Sequence, residues 1–296
     1  MLIAITGASG FIGPRLIRRL HSEGHQVRAL GRRDPGLPGV EFAEWNAAVE
    51  PRPEVLRDVR AVIHLAGEPV AQRWNADVKK RIRDSRVIGT RNLVSAMAKL
   101  SSRPAALVSA SAIGYYGDRG EEILPETAPP GKDFLAKVCV EWEREAQVAA
   151  EHGLRVALLR IGIVLGLEGG ALRQMVPLFK SGIGGPVGSG KQWVSWIHID
   201  DIVGLFAFAV RENHVFGPLN ATSPQPIRNV DFAKTLGTAL GRPSVVPTPG
   251  LAIRMMYGEM AQVVLASQRV VPEATQRAGY TFQYPELRDA LEAILT

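Results

Sequence analysis

The chain has 296 residues, 46% hydrophobic and 22% charged, a net charge of +6 and one cysteine. That balance excludes a disordered, collagen-like or low-complexity chain, and a lone thiol excludes an internally disulfide-stapled scaffold. A reducing, cytoplasmic setting is expected.

The 35 basic residues are interspersed with 29 acids. They accompany no helix-turn-helix, zinc or RNA-binding motif, so nucleic acid is not an expected partner. No apolar run approaches the roughly 18–20 residues of a membrane span, and the opening MLIAITG lacks the basic region of a signal peptide. The histidines show no metal-ligand spacing.

In chain order, residues 2–5 read as a buried strand. Apolar positions at Phe11, Ile12, Leu16, Ile17 and Leu20 recur at helical spacing over 11–22. Short apolar runs follow at 27–30, 40–42 and 61–66, then a helix over 76–99. Residues 105–109 predict a strand, 134–151 a helix and 156–159 a strand. Strands separated by helices imply an α/β fold with a doubly wound parallel sheet. Beyond residue 160 the rhythm loosens. The glycine-rich stretch 162–191 predicts loops around a helix at 171–180. Helices at 200–212, 229–240, 250–260 and 285–295 follow, with strands at 219–221 and 244–246. The expected organisation is a nucleotide-binding domain of residues 1–160 plus about 192–222. A smaller mixed lobe takes about 161–191 plus 223–296, and a small-molecule substrate sits between the two. A homodimer is compatible with this reading.

Thr6-Gly7-Ala8-Ser9-Gly10-Phe11-Ile12-Gly13 joins the first strand to the first helix. Gly7 suits a tight turn, Gly10 a close approach of backbone to pyrophosphate, and Gly13 the packing of helix on sheet. The helix start supplies free N–H groups and a positive dipole end, the Rossmann arrangement for a dinucleotide. The second strand ends in Gly31-Arg32-Arg33-Asp34 rather than in an early acid. Paired guanidiniums suit a 2′-phosphate, so NADP(H) is the expected cofactor, with Arg32 its main reader and Arg33 beside it.

These features resemble the short-chain dehydrogenase/reductase superfamily of the extended type. TGASGFIG is similar to its opening motif, and His64-Leu65-Ala66-Gly67 to its fourth-strand motif beside the adenine and ribose. Ser109-Ala110-Ser111-Ala112-Ile113-Gly114-Tyr115-Tyr116-Gly117 resembles the segment carrying its catalytic hydroxyl. The stretches 133–143, 191–201 and 220–243 look like the atypical "epimerase family protein" branch. The resemblance covers essentially the whole chain. It implies that Ser111, or less directly Ser109, binds the reacting oxygen, and that Lys137 binds the nicotinamide ribose.

One position departs from the superfamily. Its tyrosine acid/base stands four residues before the lysine, where this chain has Asp133. A phenol beside Lys⁺ both donates and accepts a proton, whereas a carboxylate there accepts and hardly donates. Tyr115 and Tyr116 are substitute candidates, and Asp133 is a candidate base for alcohol oxidation. Arg86 stands where extended members commonly carry Asn. The leading expectation is hydride transfer on a carbonyl or alcohol. The alternatives are a sugar-nucleotide epimerase or dehydratase, and a non-catalytic NADP(H)-binding sensor or scaffold.

Overall fold

A computed structural model describes all of residues 1–296. Its strands are β1 (Leu2–Thr6), β2 (Gln26–Gly31), β3 (Val40–Glu44), β4 (Ala61–His64), β5 (Ala106–Ala112), β6 (Ile123–Leu124), β7 (Arg155–Ile161), β8 (Ile163–Leu165), β9 (Trp193–Val194), β10 (Trp196–His198), β11 (Gly217–Ala221), β12 (Ile227–Arg228) and β13 (Arg269–Val270). The helices are α1 (Gly13–Ser22), α2 (Ala76–Ala98), α3 (Phe134–Glu151), α4 (Gly170–Lys180), α5 (Ile199–Arg211), α6 (Asn229–Ala239), α7 (Gly250–Tyr257), α8 (Ala261–Leu265), α9 (Glu273–Arg277) and α10 (Leu287–Leu295). Seven strands form one sheet in the order β11-β7-β5-β4-β1-β2-β3. Every pairing within it is parallel.

Strands buried on both faces read as continuous apolar runs, and the two faces feed separate cores. Ile3, Ile5 and Val108 meet Leu16 and Leu20 of α1 and Phe206 of α5 on one side. Val62 and Leu107 meet Leu93 and Met97 of α2 and Ala146 of α3 on the other. Each fully buried large aliphatic contributes about 1.5–3 kcal/mol of transfer free energy. Cys139 of α3 is buried, and burial pushes its thiol up to about 12, so it packs rather than reacts. A third core gathers Leu172, Phe179, Trp196, Phe232, Leu236 and Leu291 from the later elements. No helix is long and apolar enough to cross a membrane.

Three expectations about elements change. Residues 244–246 form no strand: Pro243 and Pro247 bracket them and cannot donate to a ladder, and Val245 is exposed. The helix expected over 250–260 stops at Tyr257, because Gly258 adopts φ +60° and turns the chain before α8. Helix α1 starts at Gly13 rather than 11, with Pro14 in its first turn.

Residues 266–268 are stitched across the carboxyl end of the sheet. Ser267 N–H donates to Asp118 Oδ1 (3.0 Å), Ser267 Oγ donates to Gly120 O (2.7 Å), and Gln268 Nε2 donates to Ile113 O (2.9 Å) and Gly117 O (3.0 Å). This seam holds α7 and α8 beside the strand ends, where open α/β sheets bind ligands.

Candidate functional site

The turn after β1 is built on two glycines. Gly7 has φ +72°, and a Cβ there would lie 2.8 Å from Ala66 N and from Leu65 C. Gly13 is tighter: its Cβ would lie 2.1 Å from Ala8 O. The third glycine therefore lets the helix start against the loop's own backbone, and not, as expected, against the sheet. Gly10 N–H returns to Gly7 O (3.0 Å). Thr6 is buried, and its Oγ1 accepts from Leu65 N–H (3.2 Å) and Ala66 N–H (3.1 Å), so it frames the loop from below. Ser9 and Gly10 are exposed. No side chain caps α1, its first turn carries no acid, and the N–H groups of Phe11, Ile12 and Gly13 find no protein acceptor. Such an end favours an anion.

The loop has a roof that sequence reasoning missed. The Phe11 ring lies against three glycines, where a Cβ would come within 2.9 Å (Gly166), 2.7 Å (Gly169) and 3.1 Å (Gly170) of its atoms. Arg15 ties the same stretch down through Glu168 (2.8 Å) and reaches Asp200 (2.6 Å). Arg32 and Arg33, just beyond β2, are exposed and engage no carboxylate, while Asp34 Oδ1 accepts Gly36 N–H (2.9 Å) to turn the chain.

Behind the loop, His64 is fully buried between Thr6 Oγ1 (2.6 Å) and Thr90 Oγ1 (2.9 Å). Burial, then the nearby Arg86 charge, lowers its pKa to about 4. As pH falls from 6.5 toward 4, the unfolded chain binds a proton at His64 that the folded protein excludes. Stability from this group is complete above that window and drops by up to roughly 3 kcal/mol across it. Urea midpoints should fall between pH 7.5 and 4.5, and fall less in His64→Gln. The residual slope belongs partly to His198, which burial also holds at about 4. Equal slopes in both proteins would remove His64 from this role.

The end of β5 holds the expected hydroxyl in a buried position. Side chains alternate along a strand, and Ser109 and Ser111 point to the α3 face while Ala112 lines the cleft. Ser111 is 2% exposed and donates to Glu143 Oε1 (2.6 Å). Ser109, fully buried, donates to Ala110 O (3.1 Å). Glu143 holds Arg160 bidentately, Nε to Oε1 and Nη2 to Oε2, both at 2.8 Å. Arg160 Nη1 continues to Tyr116 Oη (3.0 Å), which donates to Asn220 Oδ1 (2.7 Å). Tyr116 is fully buried, and burial raises its pKa to about 12. The Tyr115 ring stacks on the Arg160 guanidinium at 3.5 Å and does not line the cleft. These residues form a buried polar network, and neither Ser111 nor Tyr116 reaches the cleft.

The cleft itself encloses about 840 Å³ between the strand ends and the α7–α8 segment. That is an ordinary size for a small-molecule site. Asp133 lines it as the N-cap of α3, its Oδ1 accepting Ala136 N–H (2.9 Å), while Oδ2 lies 2.8 Å from where a Cβ on Gly117 would stand. Lys137, one turn on, is exposed and forms no ion pair with Asp133. The Arg86 guanidinium packs beneath Gly67, donates to Glu68 O (2.9 Å) and Ile82 O (3.1 Å), and stacks on Trp142; burial lowers its pKa.

Residues 3–220 match the NAD dependent epimerase/dehydratase family, and residues 248–294 a domain of unknown function, DUF1731. The chain is 41% identical over 309 residues to "Epimerase family protein SDR39U1 homolog, chloroplastic" of Arabidopsis thaliana, spanning 100% of this chain and 87% of that protein. It is 33% identical over 298 residues to Epimerase family protein YfhF of Bacillus subtilis, spanning 100% and 98%. The crystal structure of human epimerase family protein SDR39U1 (isoform2) with NADPH superposes with a TM-score of 0.91 at 34% identity, covering 99% of both chains.

Proposed function

The chain belongs to the NAD dependent epimerase/dehydratase family, and on that footing we propose that it binds NADP(H) and carries out hydride transfer on a carbonyl or alcohol in the cleft. The single observation carrying the reading is the uncapped start of α1 over its glycine turn, with Arg32 and Arg33 unpaired nearby. The residues fit the coenzyme. Backbone N–H groups of Phe11, Ile12 and Gly13 would hold the pyrophosphate, with Ser9 and Gly10 at the open edge of the turn. Arg32 and Arg33 would hold the 2′-phosphate, and Leu65, Ala66 and Gly67 would flank the adenosine. Lys137 would reach the nicotinamide ribose. The solved human relative named above was crystallised with NADPH, which supports the phosphorylated form.

When bound, the nicotinamide exchanges a hydride with the carbon bearing the substrate oxygen. Asp133 is the carboxylate at that end of the cleft, next to Ala112 and Gly117. In the alcohol-to-carbonyl direction it takes the hydroxyl proton as the hydride leaves, so proton and electron pair are both accounted for. With Ser111 and Tyr116 spent in the buried network, this direction suits the site better than carbonyl reduction.

Arg32→Ala should weaken NADPH binding by roughly 10-fold to 100-fold, the worth of one charge-assisted phosphate contact, and leave NADH binding nearly unchanged. Calorimetric titration of both coenzymes reads this directly. An equal loss for both would place Arg32 away from the 2′-phosphate. Asp133→Asn should bind NADPH normally while losing any alcohol oxidation detected in the native protein. Retained oxidation would instead assign the proton to water.

A further inference from the structure

We infer that the substrate is a neutral, largely apolar alcohol or ketone, and not a nucleoside-diphosphate sugar. This deepens the proposed function and rests on the coenzyme occupying the glycine loop. The charge balance of the cleft is the first ground. Asp118, Asp133 and Glu259 line it, against a single cation, Arg254. Glu259 is neutralised by Lys79, but Lys79 is outside the lining. A diphosphate needs several donors or cations around it. Here it would meet an excess of carboxylates.

The second ground is that two groups in the cleft suited to hold an anion are already engaged. The one long helix starting there, α3, has its N-terminus filled by the Asp133 carboxylate. The Gln268 amide already donates to Ile113 O and Gly117 O. The third ground is the wall between these charges. Val70, Ile113, Leu135, Ile161, Ile163 and Leu265 supply an apolar lining. Val263 also lines the cleft and is 39% exposed, so the apolar lining reaches the surface. A sugar bristling with hydroxyls would find few partners on this lining, whereas an alkyl chain would bury apolar surface against it.

The test uses the full chain saturated with NADP⁺, after coenzyme binding has been measured separately by calorimetry. Methyl ketones from 2-pentanone to 2-undecanone, UDP-glucose and UMP are then titrated, with thermal shift and calorimetry as readouts. The expected result is affinity rising about threefold to fourfold per added methylene, the transfer value of one buried CH₂. UDP-glucose and UMP should give no shift. Ile163→Asp, at a position exposed enough to keep the fold, should abolish the chain-length dependence while leaving NADP⁺ binding intact. Protection by UDP-glucose, or no ketone dependence in a chain that binds NADP⁺, overturns the inference and leaves the proposed coenzyme role standing. Ketone binding in a chain that binds no coenzyme supports the cleft chemistry and overturns the function on which it was built.

Discussion

Arg160→Met should lower the free energy of unfolding by about 3–5 kcal/mol, the cost of stranding one member of a buried ion pair. Arg160 and Glu143 have side chains only 4% and 9% exposed. Without the guanidinium, Glu143 keeps a charge in the interior with only Ser111 to answer it. Tyr116 loses a donor, and so does Glu126 O. Tyr115 loses the cation under its ring. Urea unfolding reads the effect. The companion variant Ser111→Ala removes one hydrogen bond and leaves the ion pair intact, so it should cost about 1 kcal/mol. It should leave coenzyme affinity unchanged. A Ser111→Ala protein of native stability that loses turnover would return that hydroxyl to the cleft.

The second large effect is expected at Gly13. Its Cβ would lie 2.1 Å from a backbone oxygen and 2.5 Å from the carbonyl carbon of Ala8, so no side-chain movement relieves the contact. Gly13→Ala must displace either the loop or the first turn of α1, and the aligned N–H groups go with it. NADPH affinity should fall on the order of 100-fold, about 2.7 kcal/mol, with a stability loss of about 1–3 kcal/mol from overpacking. Gly10→Ala provides the ranking. Its nearest neighbour is Gly7 O at 3.2 Å, so the fold should tolerate it and the affinity loss should be smaller. Equal losses at both positions would show that space for the ligand, and not loop geometry, governs binding.

The sheet was legible because its signals are local. Residues 2–5 and 61–63 are apolar runs of strand length, 27–30 is broken only by Arg28, and the helix α1 between the first two strands carries its own periodicity. The glycine turn was legible because its three glycines are close in sequence and stand at a strand–helix junction. Its roof was not. Phe11 meets Gly166, Gly169 and Gly170 about 150 positions later, and nothing local in either segment announces the other. Short strands such as β6 and β13 escaped for a related reason: two residues carry no period, and their pairing is imposed by the 266–268 seam.

The facing of β5 was recoverable from its parity. Ser109 and Ser111 share one parity and Ala110 and Ala112 the other, and only the second parity leads into the cleft. Motif resemblance favoured the serine, whereas strand alternation turns its hydroxyl toward Glu143 on the facing helix. The Glu143–Arg160 pair itself joins α3 to β7, and its sequence signal was no more than two opposite charges in apolar surroundings. Asp133 was singled out from sequence as a departure from a tyrosine. The structure adds that its carboxylate both caps α3 and borders the cleft.

Titration of the unmodified protein with NADPH and with NADH, in a calorimeter at modest ionic strength, tests the account at its root. The anion-ready start of α1 and the unpaired Arg32 and Arg33 predict one site per chain with NADPH clearly preferred. Absence of heat from either coenzyme, or equal affinity for the two, would contradict it.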